Sequence, residues 1–206
     1  ITANAQLEAI LPVLVAKPMR ESELVWDASK GVTSELPFTG KVTLRYAAAV
    51  EARVKKATAQ KAEDLVEYFE NMMPGVGNSD MEIVEQKDDE ATGDYVVTFK
   101  GKAKADWDEF EGMKGYRFTF SNNASKWDAD FDRKEGPFKD ALVQINPGYW
   151  QREIETLMLP VGGKPFTVDA PALDETIAAT RIWRSVKAEG DRITSTTDFR
   201  HLGAEI

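Results

Sequence analysis

Two residue types that carry much of enzyme chemistry are missing or scarce in this sequence, which contains no cysteine and a single histidine, His201. Without cysteine the chain has no disulfide, no thiolate nucleophile and no cysteine ligand for zinc or an iron–sulfur cluster. A histidine-rich metal site is excluded too, and a Ser–His–Asp triad would depend on His201. We expect His201 to be a surface or tail residue, and we predict that this chain is not an enzyme.

Positive charge is also in short supply. The 26 Lys and Arg residues are outnumbered by 35 Asp and Glu residues, which gives a formal net charge of −9. A nucleic-acid-binding domain needs a basic stripe that releases counterions from phosphates, and the sequence has no long one. No apolar run approaches the roughly 20 residues that span a bilayer. We therefore expect neither nucleic acid as a partner nor insertion into a membrane.

The start of the chain differs in character from the rest. No signal peptide is visible, and the chain begins Ile1-Thr2 rather than with methionine, so we expect a processed product or a fragment of a longer protein. Residues 1–22 are interrupted by Pro12 and Pro18 and are interpreted as an entry segment. Residues 23–206 are predicted to form a single α+β accessory domain, with one candidate sub-boundary in the irregular region 121–147.

Helical periodicity is strong in one place. Apolar residues from Ala47 to Met72 recur at spacings of three and four, and Pro74-Gly75 ends the pattern. The spacing predicts a helical segment over 47–73, either as one helix or as two helices with a break near 57–58.

Most of the remaining sequence alternates between apolar and polar residues. The alternation predicts strands at 23–27, 41–46, 81–85, 95–103, 115–120, 149–159, 166–168, 180–188 and 192–199. Charged turns at 88–93 and 189–191 predict two hairpins, whereas residues 32–40, which include Pro37, are read as a loop or an edge. The predicted fold class is α+β: antiparallel, β-rich and sandwich-like, with the helical segment 47–73 packed on the sheet.

Aromatic residues offer one candidate binding site. Trp150, Trp183 and Tyr116 lie in predicted strands, and tryptophan and tyrosine side chains on a sheet bind peptides or glycans when they are exposed. The same residues fill the core when they are buried. Their exposure therefore decides between the two interpretations.

A second candidate is a calcium site. Asp128, Asp130 and Asp132 stand at alternate positions, and carboxylate oxygens are the ligands that Ca²⁺ prefers. An EF-hand would also need glycine and glutamate where this chain has Arg133 and Lys139. The alternative interpretation is a solvated polar loop.

Two further patterns bear on enzyme chemistry: a set of aspartates and a glycine-containing turn. An acid-only hydrolase would need two carboxylates that face each other across a cleft, and its candidates are Asp106, Asp108, Asp128 and Asp130. The glycine-containing turn at 159–164 lacks the spacing of a phosphate-binding loop, and no helix follows it. We interpret that turn as a connection between strands.

The second half of the chain carries a pattern of turns and aromatic residues. Its segments include Gly93-Asp94-Tyr95, Gly101-Lys102-Ala103-Lys104-Ala105-Asp106-Trp107, Trp127-Asp128-Ala129-Asp130-Phe131-Asp132-Arg133, Pro147-Gly148-Tyr149-Trp150-Gln151-Arg152-Glu153 and Leu159-Pro160-Val161-Gly162-Gly163-Lys164-Pro165-Phe166. This pattern resembles the region that follows the catalytic domain in bacterial transglutaminase-like proteins. Those proteins carry an N-terminal domain of unknown function, DUF3857, before a papain-like transglutaminase core.

The resemblance spans residues 24–206 and implies a β-rich accessory domain of a bacterial, periplasmic or extracytoplasmic multidomain protein. The family's catalytic Cys–His–Asp set lies on another domain, so no catalytic residue carries over to this chain. The predicted function is therefore non-catalytic: docking on a neighbouring domain of the same polypeptide, or protein interaction. The alternative is a peptide- or glycan-binding module that uses Trp150, Trp183 and Tyr116, and the acid-only hydrolase comes last. No cofactor is predicted apart from the candidate calcium ion.

Overall fold

A computed structural model describes residues 15–73, 75–77, 79–105, 107–109, 115–121, 144–145, 149–163, 166–170, 172–177, 179–202 and 204–205. The elements within these ranges are β1 (Arg20–Asp27), β2 (Glu35–Leu44), α1 (Ala47–Thr58), α2 (Ala62–Glu70), β3 (Glu82–Asp88), β4 (Tyr95–Lys104), β5 (Trp107–Glu109), β6 (Tyr116–Phe118), β7 (Gln144–Ile145), β8 (Trp150–Met158), β9 (Leu173–Ile177), β10 (Thr180–Glu189), β11 (Arg192–His201) and β12 (Ala204–Glu205).

The long strands form one eight-stranded sheet in the order β3-β4-β2-β1-β8-β11-β10-β9. Strands β1 and β8 pair in parallel, and the other neighbouring strands of this sheet are antiparallel. Two short pairs, β5–β6 and β7–β12, stand apart from it. The predicted class, α+β and mostly antiparallel β, is confirmed, with the long strands together in one sheet.

Both predicted hairpins are present. Strands β3 and β4 pair across the turn at 88–94, and β10 and β11 pair from Thr180↔His201 to Glu189↔Arg192. Gly190 has a φ of 62° in the second turn. Glycine adopts this left-handed conformation without the steric cost of a Cβ atom, which explains its place in the turn.

The predicted helical segment consists of two helices, as in the version with a break. Helix α1 ends at Thr58 because Ala59 adopts an extended conformation. Helix α2 then begins with a capping interaction, in which the Asp64 carboxylate accepts hydrogen bonds from the backbone N–H groups of Gln60 and Lys61 at 3.0 and 3.1 Å. Such caps satisfy the amides that a helix start leaves without partners.

Three strand predictions need correction. The loop or edge expected at 32–40 is wrong, because β2 begins at Glu35 and lies between β4 and β1. Pro37 is tolerated there since the β1–β2 ladder already ends at Trp26↔Phe38, so no hydrogen bond to β1 is lost. The strand predicted at 166–168 is also wrong, because these residues join no ladder. The third correction concerns four strands that the sequence analysis does not predict: β5, β7, β9 and β12.

The start of the sheet also bears on the predicted domain limits. Strand β1 begins at Arg20, so the proposed end of the entry segment at residue 22 falls inside a strand. The candidate sub-boundary at 121–147 lies almost wholly outside the described residues.

The core lies on one face of the sheet. Alternate residues of β1, β2 and β4 are buried, and the Phe69 ring of α2 packs against Tyr95 and Phe99 with centroid distances of 6.5 and 5.8 Å. We call this side the helix face and the opposite side the open face. The β5–β6 pair also covers the helix face, because the Phe118 ring lies 6.3 Å from that of Trp26. Within the described residues, no helix is both long and apolar enough to span a bilayer.

Candidate functional site

Three neighbouring strands bring a group of cationic and aromatic side chains together on the open face. Register pairs Trp150 of β8 with Arg200 of β11, and Arg200 with Arg181 of β10. The next row pairs Arg152 with Asp198 and Asp198 with Trp183. These six residues line one cavity of about 290 Å³ and are called the arginine–tryptophan cluster below: Trp150, Arg152, Arg181, Trp183, Asp198 and Arg200.

Asp198 organises one side of the cluster. Its carboxylate accepts a hydrogen bond from the Trp150 indole Nε1 at 2.7 Å and a bidentate pair from Arg152, from Nε at 2.9 Å and from Nη2 at 3.0 Å. Arg152 Nη1 also lies 3.9 Å from a carboxylate oxygen of Glu21. The hydrogen bonds to Asp198 raise the pKa of the Arg152 guanidinium above its ordinary value. Arg152 is therefore a structural cation with its charge already compensated.

Arg200 stands in a different situation from Arg152. Its guanidinium carbon lies 4.6 Å from the centre of the Trp150 ring, within the range of a cation–π interaction. Its Nη2 donates one long hydrogen bond, of 3.4 Å, to the backbone oxygen of Val15, and its Nε is buried without any acceptor. A buried donor without an acceptor costs about 1–3 kcal/mol. Within the described part of the chain, Arg200 has no carboxylate partner.

The third arginine, Arg181, is paired but exposed. Its Nε and Nη2 donate to the two carboxylate oxygens of Asp174 at 2.8 and 2.9 Å, and about half of each side chain is accessible to solvent. These hydrogen bonds lower the pKa of Asp174 below its ordinary value. Exposed ion pairs of this kind contribute little to stability. The Nε and Nη2 donors of Arg181 are nevertheless engaged by Asp174, so its charge is compensated.

The two predicted tryptophans of the cluster remain accessible. Trp150 and Trp183 are both half-buried, and the described residues provide no hydrogen-bond partner for the Trp183 indole. They lie two strands apart and two residues apart along the strands, which corresponds to about 12 Å between their backbones. The third predicted aromatic residue, Tyr116, is 54% exposed on β6 but does not line this cavity.

A second cavity, of about 440 Å³, lies between the start of α1 and the β3–β4 turn. Both arginines of its lining already have carboxylate partners: Arg45 donates to Asp94 at 3.2 Å, and Arg53 donates to both carboxylate oxygens of Asp88. Tyr46 at its edge has a φ of 56°, a strained conformation for a residue with a side chain. Because these arginine charges are compensated, this cavity is the weaker candidate for a charged ligand.

The helix face of β8 carries two buried carboxylates that the sequence analysis did not single out. Glu153 and Glu155 are each 1% exposed. Glu155 accepts hydrogen bonds from the Trp26 indole at 2.7 Å and from the Ser121 backbone N–H at 2.8 Å, while Gln151 donates to Glu153. These bonds give the buried carboxyl oxygens hydrogen-bond partners, which a buried polar group needs. The sequence signal that could have revealed them is the two-residue period of β8, which places Gln151, Glu153 and Glu155 on the same face as Leu157.

The remaining candidates are placed as follows. The calcium residues Asp128, Asp130 and Asp132 lie outside the described residues, as does Asp106 of the acid-only hydrolase. Asp108 lies on β5, opposite Arg117. In the part of the chain that the structure describes, no three histidine, aspartate or glutamate side chains come close enough to hold a metal ion.

The predicted position of His201 needs adjustment. It is the last residue of β11, and its ring packs 5.0 Å from Tyr149 and 5.3 Å from Phe199. It is therefore a half-buried strand residue and not part of a free tail.

Comparison with protein family models, with curated proteins and with solved structures finds no match to this chain. The case for a function therefore depends on the geometry of the cluster.

Proposed function

We propose that this chain is a non-catalytic accessory domain that binds a peptide segment on the open face of β8, β11 and β10. The observation that carries the proposal is the arginine–tryptophan cluster, in which two accessible indoles and three guanidinium groups line one cavity. Tryptophan and arginine are the residues most enriched at the centres of protein-binding surfaces. The proposal joins the interaction role implied by the resemblance to a defined surface.

The environment of Trp150 favours a peptide over a glycan. Sugars stack on open indole faces, but the guanidinium carbons of Arg200 and Arg152 lie 4.6 and 5.4 Å from the Trp150 ring centre. The indole N–H is also held by Asp198. Trp150 therefore supports the two arginines, and the donors of Arg200 match the carbonyl and carboxylate oxygens of a peptide.

The spacing of the cluster fits a short extended segment. The separation of about 12 Å between the backbones of Trp150 and Trp183 equals the length of about three to four residues of extended peptide. No described residue hydrogen-bonds to the Trp183 indole or stacks on its ring, so a ligand side chain has room to pack against it.

The test uses an array of eight-residue peptides of random sequence, followed by titration of the ¹⁵N-labelled chain with the peptides that bind. We expect chemical-shift changes at the indole N–H signals of Trp150 and Trp183 and none at that of the buried Trp26. Because tenfold in affinity corresponds to about 1.4 kcal/mol, Trp183→Ala should weaken binding by about tenfold or more if the indole is a central contact.

Tyr116→Ala is the matched control, since it removes an exposed aromatic side chain outside the cluster. It should leave peptide affinity unchanged. The proposal is wrong if no peptide binds, or if the two substitutions weaken binding equally.

A further inference from the structure

We infer that the group recognised by the cluster is a single carboxylate of the peptide, and that Arg200 is the residue that holds it. This inference rests on the proposed function and adds the chemical class of the ligand. It follows from how the hydrogen-bond donors of the three arginines are used.

The donors of Arg152 and Arg181 are already engaged. Each gives Nε and Nη2 to both oxygens of one aspartate, Arg152 to Asp198 and Arg181 to Asp174. The corresponding edge of Arg200 has a buried Nε without an acceptor and an Nη2 with one bond of 3.4 Å. A carboxylate has two oxygens at the spacing of this edge, and would complete on Arg200 the geometry that its neighbours already show.

Access to this edge requires a local movement. The backbone oxygen of Val15 is the present partner of Arg200 Nη2, and Nε is shielded from solvent. A bound carboxylate would replace that single long bond with two short charge-assisted bonds. The chain at Val15 then moves away from Arg200.

The number of charges on the ligand is limited by the rest of the protein. With a net charge of −9, the chain repels a polyanion at long range, and the only unpaired cation of the cluster is Arg200. A ligand with one acidic side chain, or with a free C-terminal carboxylate, satisfies Arg200 without further repulsion. A polymer with a charge on every unit would add negative charges that the rest of the chain repels.

The test compares peptides from the array in matched pairs. Each acidic peptide that binds is synthesised again with its glutamate or aspartate replaced by the corresponding amide, and with its C-terminus either free or amidated. We expect the carboxylate form to bind at least tenfold more tightly than the amide. Arg200→Gln should remove this difference, and Arg200→Lys should retain only part of it because lysine has no planar pair of donors.

Arg192→Gln is the control, since Arg192 lies exposed on the same strand and its loss changes the net charge equally. It should leave the preference for the carboxylate intact. Circular dichroism of each variant shows whether it is folded.

Three results would overturn the inference. Equal binding of the acidic peptide and its amide would refute it and leave the proposed function standing. Equal effects of Arg200→Gln and Arg192→Gln would reduce the preference to net charge. Absence of binding by any peptide would refute the proposed function and this inference together.

Discussion

Removal of the Asp198 carboxylate tests whether the hydrogen bonds within the cluster stabilise the fold or whether its side chains are merely solvated on the sheet surface. In Asp198→Ala the Trp150 indole loses its acceptor at 2.7 Å, and Arg152 loses both bonds of its bidentate pair. The Asp198 side chain is 16% exposed and that of Arg152 is 33% exposed. Water therefore replaces these bonds only in part.

The size of the expected stability loss follows from how far Asp198 and Arg152 are buried. A hydrogen bond to a charged group contributes about 1.5–3 kcal/mol. We assign the lower value to the indole bond and somewhat less to the Arg152 pair, because Arg152 keeps Glu21 nearby. The sum is about 2–3 kcal/mol of unfolding free energy. For a domain of this size that equals a decrease of about 4–12 °C in melting temperature.

The assay is urea unfolding followed by far-UV circular dichroism, with the same slope m expected for both proteins. Asp174→Ala is the matched control, because Asp174 makes the same bidentate contact with Arg181 on the same face but is 56% exposed. We expect no measurable loss of stability there. An equal loss for the two substitutions, or none for Asp198→Ala, would refute the view that burial makes Asp198 the organiser of the cluster.

Two further predictions concern the core. Phe69→Ala should lower the unfolding free energy by about 3–5 kcal/mol, measured by the same urea assay, because Phe69 is fully buried and is the residue of α2 that packs on Tyr95 and Phe99. Burial raises the pKa of Tyr95, so the neutral phenol is favoured in the folded state and its contribution to stability is lost as the pH rises from about 10. Absorbance at alkaline pH should show Tyr95 ionising later than free tyrosine, and simultaneous ionisation would contradict this.

Local features of the fold are well predicted from the sequence. The β10–β11 hairpin follows from alternation and from the turn at Gly190, and the β3–β4 hairpin follows from the same kind of signal. These contacts are close in sequence, so their pairing is decided by the turn itself. The parallel pairing of β1 with β8 joins residues such as Arg20 and Gln151 across most of the chain. No local pattern specifies it.

The same limit explains which site residues were found. Trp150 and Trp183 were predicted because tryptophan is rare and chemically distinctive. Arg200 was not, because it is one of 26 basic residues and nothing local separates it from the others. Its proposed role in binding depends on the strand order β8-β11-β10, which places it between Trp150 and Arg181.

Strand β8 shows where ordinary sequence rules give the wrong answer. Its more apolar phase is Trp150, Ile154 and Met158, and a sheet built for stability alone would turn that phase inward. The structure instead buries Glu153 and Glu155 and turns Trp150 outward. The neighbours enforce this choice, because Leu24 of β1 lies opposite Glu155 and Ile193 of β11 lies opposite Leu157.

Burial of two carboxyl groups has a desolvation cost, even when they are hydrogen-bonded. The cost would be avoided if β8 turned its other face inward. The reversed arrangement would also remove Trp150 and Arg152 from the open face and so dismantle the arginine–tryptophan cluster. Violations of local rules in natural proteins tend to concentrate at functional sites. The inverted phase of β8, which places Trp150 and Arg152 on the open face, therefore agrees with the proposed binding role of the arginine–tryptophan cluster.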